Sequence, residues 1–149
     1  MLLIYLLKVC SFSKLLNLFH FDFSGGLASG IPGEIAGYWQ AWKIGGRLPW
    51  KKLFEPSIEF CRNGITVSST LASAISQNEA KIRSNKGFSD IFINPLNNQT
   101  YKVNEMMKRE KFAKTLEIIS NDGPDAFYNG QLSQKIVNEN NLNSKLRLN

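Results

Sequence analysis

Histidine and cysteine, the residues behind most metal and thiol chemistry, are nearly missing from this chain. His20 is the only histidine, and Cys10 and Cys61 are the only cysteines. Two cysteines so far apart fit no zinc spacing. No cluster of ligating side chains marks a metal site, and nothing asks for a cofactor. No serine sits in a G-x-S-x-G elbow. No run of about 18 apolar residues occurs, so a conventional membrane span is excluded. Internal repeats and domain-splitting linkers are also missing. What is present has the composition of one globular domain: 149 residues, 43% apolar and 20% charged. The net charge of +6 permits weak attraction to nucleic acid or acidic lipid. The cations are scattered, however. Lys51-Lys52 and Lys108-Arg109 with Lys111 are short clusters on helix-like segments. No recognition motif accompanies them, so a nucleic-acid partner is not expected.

The first residues have a pattern of their own. Residues 2–7 are apolar, and Lys8, Ser11, Lys14 and Asn17 then recur every three residues among Leu, Val and Phe. That spacing predicts an amphipathic helix over residues 2–19, suited to a membrane surface. Lys8 shortens the apolar core below what a secretory signal needs. His20 lies in this segment among Phe and Leu, as a packed or solvent-facing residue rather than a catalyst.

Glycines 25, 26, 30 and 33 crowd one loop. Their spacing matches neither phosphate-binding fingerprint, so the loop reads as a tight crossing into a helix. Pro32 suits the first helical turn, and Glu34 lies near the positive end of the dipole. Ile35, Tyr38, Trp39 and Trp42 make an apolar stripe that Gly45-Gly46 ends. Pro49 opens a short helical stretch anchored by Trp50, Leu53 and Phe54. Pro56 restarts the pattern with Ile58, Phe60 and Cys61 inward, and Asn63-Gly64 closes it. Ser68 or Ser69 caps one longer helix through Leu71, Ala72, Ile75 and Ile82. Ile91–Ile93 and Thr100–Val103 predict a surface hairpin around residues 94–98. Met106–Ile119 reads as a helix burying Met107, Phe112, Leu116 and Ile119. Gly123 stops it and Pro124 opens the next turn, where Phe127 and Tyr128 dock. Leu132, Ile136 and Val137 form a last helix, and the sequence after Asn138 fades into a polar tail. Ser24, Ser29 and Ser57 suit turns and caps, and Glu34, Glu55 and Glu59 suit helix faces paired with cations. Asn98-Gln99-Thr100 is a glycosylation sequon on the hairpin turn.

The run from Gly25 to Phe60, GGLASGIPGEIAGYWQAWKIGGRLPWKKLFEPSIEF, has a distinctive order of pieces. It is joined by Phe112-Ala113-Lys114-Thr115-Leu116, Asp122-Gly123-Pro124 and Asp125-Ala126-Phe127-Tyr128-Asn129-Gly130. Together they resemble the large subunit of γ-glutamyltranspeptidases (glutathione hydrolases), over about residues 25–138. Three segments result: a non-matching apolar stretch at 1–24, the family region at 25–138 and a polar tail at 139–149. The resemblance implies an α/β (α+β) chain, part of a four-layer αββα N-terminal-nucleophile hydrolase. This part is expected to be mostly helical with one short β-hairpin. The family hydrolyses or transfers the γ-glutamyl group of glutathione. Its nucleophile is a threonine that starts the small subunit, and an arginine upstream of the glycine loop holds the substrate carboxylate. Neither has a matching position here, and the stretch before Gly25 contains no arginine. The resemblance therefore implies no catalytic, substrate-binding or metal residue in this chain, and no activity for it alone. Some family members carry a close cysteine pair aligned with Gly87–Ile93, where this chain has GFSDIFI and no such bridge. The implied partner is the remainder of the enzyme, with glutathione bound only by the complete protein. The implied location is the plasma membrane or the cell exterior. The non-matching start is read as unrelated sequence joined to a family fragment by truncation, splicing or a misplaced start. The alternative reading is a small non-catalytic protein that binds a membrane surface or a full-length relative.

Overall fold

The computed structural model describes Gly30 and residues 32–145, with side chains described as far as residue 141. The helix expected over residues 2–19, Cys10, His20, Ser24, Ser29 and glycines 25 and 26 lie outside the described residues. Residues 33–133 form one compact unit, which holds both hydrophobic cores. The described part of a second unit is Gly30, Pro32 and the stretch from Gln134.

Helix α1 spans Glu34–Gly45. Gly33 occupies the N-cap, so Pro32 precedes the first turn rather than entering it. The Glu34 carboxylate accepts a hydrogen bond from the Tyr38 hydroxyl one turn on, which holds Tyr38 at the surface. Gly46 takes an extended conformation, and its N–H caps the Trp42 carbonyl at 2.7 Å. A 3-10 turn at Trp50–Leu53 follows Pro49, and α2 spans Glu55–Asn63 with Pro56 in its first turn. The missing proline N–H is tolerated there because first-turn donors have no intrahelical acceptor. Gly64, at φ 99°, then reverses the chain.

The sequence pattern anticipated one hairpin, and the structure adds a second strand pair. Strand β1 (Ile65–Thr66) runs antiparallel to β4 (Met106–Met107), with Ile65 opposite Met107. Met106–Met107 was expected to open a helix, but α6 starts only at Glu110 and runs to Asp122. Tertiary pairing overrides helix propensity here, because Met107 in the ladder is buried beside Val67. Ser68 Oγ accepts the Leu71 N–H at 3.2 Å and starts α3, Ser69–Gln77. The expected single helix to Ile82 is broken at Asn78, whose side chain donates to the Ala74 carbonyl at 2.9 Å. Such side-chain competition with the backbone interrupts helices. The chain restarts as α4, Glu79–Ser84, and as α5, Lys86–Phe92. Ile91 and Phe92, expected in a strand, end α5 instead, because Asn85 caps that helix through the Phe88 N–H at 3.2 Å. The anticipated hairpin is present but short: β2 (Ile93–Asn94) pairs with β3 (Gln99–Thr100). Gly123, at φ 74°, ends α6, and α7 covers Pro124–Tyr128. Helix α8 runs from Gln131 past Asn138 to Lys145. No glycine or proline follows Gly130 to stop it.

One core gathers Val67, Ile75, Ile82, Tyr101 and Met107, backed by Ile65, Leu71 and Phe92. The other gathers Trp50, Ile119 and Leu132, backed by Ile35, Trp39, Trp42, Phe54 and Phe127. Helices α2 and α6 pack together. An ion pair from Arg62 to Glu117 joins them, as does the Arg109 N–H donating to the Cys61 carbonyl at 2.8 Å. Three positions expected to pack inward do not: Leu53 is 47%, Phe60 is 63% and Phe112 is 41% exposed. The fully covered position on α6 is Ala113, small enough to sit close to its neighbours. Among the described residues no helix is long and apolar enough to cross a membrane.

Candidate functional site

An open cleft of about 940 Å³ lies within the unit of residues 33–133. Helix α1 supplies Ala36, Trp39, Gln40 and Lys43, the 3-10 turn supplies Trp50 and Lys51, and the end of α6 supplies Ser120 to Asp122. The far wall is Gly123 with Pro124, Asp125, Tyr128 and Asn129 of α7. Two indoles, Trp39 and Trp50, line it, and Trp42 packs against both. Trp39 meets Trp50 edge-on at 4.9 Å between centroids, and Trp42 lies 4.8 Å from Trp39. Edge-to-face and tilted pairs are the favourable aromatic geometries. The Trp50 indole N–H donates to the Ile119 carbonyl at 3.1 Å, and the Ala36 N–H donates to the Tyr128 hydroxyl oxygen at 3.1 Å. Lys43 Nζ stands 5.6 Å above the Trp39 ring, within cation–π range. The sequence marked these aromatics as core, and they do pack there. It gave no sign that α1 and α7 leave a cleft beside them, because that depends on the angle at which Gly123 turns the chain.

The cleft is lined by two lysines, Lys43 and Lys51, and two aspartates, Asp122 and Asp125. A nucleophilic hydroxyl needs a base as its hydrogen-bond partner. Several hydroxyls, in the cleft and outside it, donate instead to nearby backbone carbonyls. Ser84 donates to the Lys81 carbonyl at 3.1 Å, Ser89 to Asn85 at 3.1 Å, and Thr115 to Lys111 at 3.2 Å. Ser120 and Ser133 donate in the same way to the carbonyls of Glu117 and Gly130. Burial pushes the Cys61 thiol up, with the nearby Arg109 charge opposing, so its reactive thiolate is scarce near neutral pH. Glu55 is held by Lys52 at 3.0 Å, and Glu34 by Tyr38. Ser57 and Glu59 are exposed on α2. Among the described residues no group of three or more His, Cys, Asp or Glu could hold a metal ion. The sequon asparagine, Asn98, is exposed at the hairpin turn, far along the chain from the cleft residues.

The family described as Gamma-glutamyltranspeptidase matches residues 13–147 of this chain. Glutathione hydrolase 3 of Arabidopsis thaliana is 45% identical over 115 residues, which is 77% of this chain and 18% of that protein. Glutathione hydrolase proenzyme 1 of Schizosaccharomyces pombe is 40% identical over 126 residues, 81% of this chain and 20% of that protein. Among solved structures, the γ-glutamyltranspeptidase of Helicobacter pylori superposes with a TM-score of 0.70 at 26% identity. That superposition covers 76% of this chain and 32% of the other. The chain thus spans about a fifth of the length of the curated relatives it matches. With most of its length matched in sequence and its helices superposing on a solved member, the chain belongs to the γ-glutamyltranspeptidase family.

Proposed function

We propose that this chain is a helical portion of the large subunit of a glutathione hydrolase, one that supports the catalytic apparatus without contributing to it. The observation that carries this reading is the family match over residues 13–147. It is supported by the hydroxyls of Ser84, Ser89, Thr115, Ser120 and Ser133, which donate to backbone carbonyls rather than to a carboxylate. In the complete protein these helices flank the sheets of a four-layer αββα core. The activity of that protein is hydrolysis or transfer of the γ-glutamyl group of glutathione, and its location is the plasma membrane or the cell exterior. The rest of the enzyme is the partner of this chain, and by itself the chain turns nothing over.

Two measurements test this. The purified chain, offered a chromogenic γ-glutamyl anilide, is expected to release no product above background. A chimera of the Arabidopsis relative, with its matched 115-residue segment replaced by this one, is expected to mature and release product. A chimera that folds and stays inactive would defeat the scaffold reading. Turnover by the chain alone would defeat its assignment as non-catalytic.

A further inference from the structure

The turn between β2 and β3 carries three asparagines with different duties. Asn94 Oδ1 accepts the Leu96 N–H at 3.0 Å, and Asn97 Oδ1 accepts the Gln99 N–H at 2.9 Å. Those two side chains are committed to holding the turn. Asn98 serves the turn with its backbone instead. Its N–H donates to the Asn94 carbonyl at 2.9 Å, and its carbonyl faces the Arg83 guanidinium at 3.4 and 3.5 Å. Its φ of 57° lies in the left-handed region, which asparagine tolerates better than most residues. The residue is exposed, and the hydrogen bonds of the turn do not use its side-chain amide. Asn98 is also the one asparagine in the sequence followed at the second position by Ser or Thr without an intervening proline. Thr100, the hydroxyl residue of that triplet, is set in β3 opposite Ile93.

We infer that Asn98 Nδ2 is the acceptor of an N-linked glycan when this chain passes through a secretory lumen. The donor class is a lipid pyrophosphate-linked oligosaccharide, acted on by an oligosaccharyltransferase. A bond forms between Nδ2 and C1 of the first sugar, and the bond between C1 and the phosphate oxygen breaks. The lipid pyrophosphate leaves with the bonding electron pair, and one amide proton is released. The turn suits the product as well as the reaction. Leu96, two residues away and 93% exposed, is an apolar side chain at the same tip that a glycan would cover. This inference is independent of the glutathione hydrolase reading, since it needs only export and the triplet.

The test is to express the full chain behind a cleavable secretory leader in a eukaryotic host. A reporter sequon added at its C-terminus identifies molecules that reached the lumen. In the reporter-glycosylated pool, the expected result is a second glycan. Peptide N-glycosidase removes it and leaves aspartate at position 98 in the peptide map. Asn98→Gln and Thr100→Ala should each abolish that second glycan, whereas Thr100→Ser should retain it. Recovery of unmodified Asn98 from molecules carrying the reporter glycan would overturn the inference. So would a second glycan that survives Asn98→Gln.

Discussion

At Gly64 a Cβ would lie 2.6 Å from Met106 Cγ and 2.9 Å from its Sδ, on a backbone already at φ 99°. Both facts penalise any side chain there, one through local backbone strain and the other through the packing of β1 against β4. Gly64→Ala should therefore destabilise the chain by about 1–3 kcal/mol. The check is the urea midpoint of the chimera with the Arabidopsis relative, followed by tryptophan fluorescence, and an unchanged midpoint would contradict the pairing of Ile65 with Met107. Trp50 offers a second test, because its contributions separate. The Ile119 carbonyl that accepts its indole N–H also accepts the Gly123 N–H at 3.0 Å. Removing only the indole donor does not orphan that oxygen. Trp50→Phe should cost about 1 kcal/mol. Trp50→Ala, which also empties a buried aromatic site, should cost about 3–5 kcal/mol. Equal losses for the two would mean that packing around the ring matters little. The burial of Trp50 was legible in the sequence as an aromatic just after a helix-opening proline. The exposure of Phe60 and Phe112 was not, since a helix pattern gives an apolar stripe but not how much of its width a neighbour covers.

Between elements, the strongest sequence signals were the caps and breakers, and these mostly held. Gly46, Gly64 and Gly123 each end a helix, and Ser68 begins one. Some readings failed where a partner distant in sequence decides the outcome, and others, such as the break at Asn78 and the reach of α5 to Phe92, turned on local side-chain hydrogen bonds. Met106–Met107 has helical character in isolation and becomes a strand because Ile65 is brought beside it. The cleft was illegible for the same reason, its walls coming from α1, α6 and α7. The same contrast governs a contact between α5 and α6. Lys111 Nζ lies 2.7 Å from Asp90 Oδ2. That hydrogen bond, then the Lys111 charge, with Lys86 adding to it, holds the Asp90 carboxyl below its ordinary value. A carboxyl depressed in the folded chain stabilises it above the unfolded carboxylate pKa, and the contribution is lost as pH falls through the folded value. The pair is exposed, so its stabilising effect is small. The direct measurement is an NMR titration of the Asp90 carboxyl carbon. Its midpoint should rise towards the ordinary aspartate value in Lys111→Met, and an unmoved midpoint would show that the pair does not persist in solution.

For the molecule as a unit, two small cores must hold residues 33–133 while considerable apolar surface stays uncovered. Ile44 is 88% exposed, and Leu48, Phe60, Met106 and Phe112 are also open to water. Scattered apolar residues at a surface are normal, but so many large ones on a short helical chain are characteristic of surfaces that meet other polypeptide. The chain spans about a fifth of the relatives it matches, so that polypeptide is available in the proposed complete enzyme. Without it, caps and short-range hydrogen bonds are expected to keep the secondary structure, whereas the exposed apolar side chains have nothing to pack against. The purified chain is accordingly expected to bind 8-anilinonaphthalene-1-sulfonate, to keep its far-ultraviolet helical signal with a weak near-ultraviolet one, and to unfold over a broad range of urea. In the chimera with the Arabidopsis relative the dye should be excluded and the transition should sharpen, because the same apolar faces are then covered. A purified chain that excludes the dye and melts in one sharp transition would show that residues 33–133 satisfy their own packing, and the reading of these helices as one part of a larger structure would fall with it.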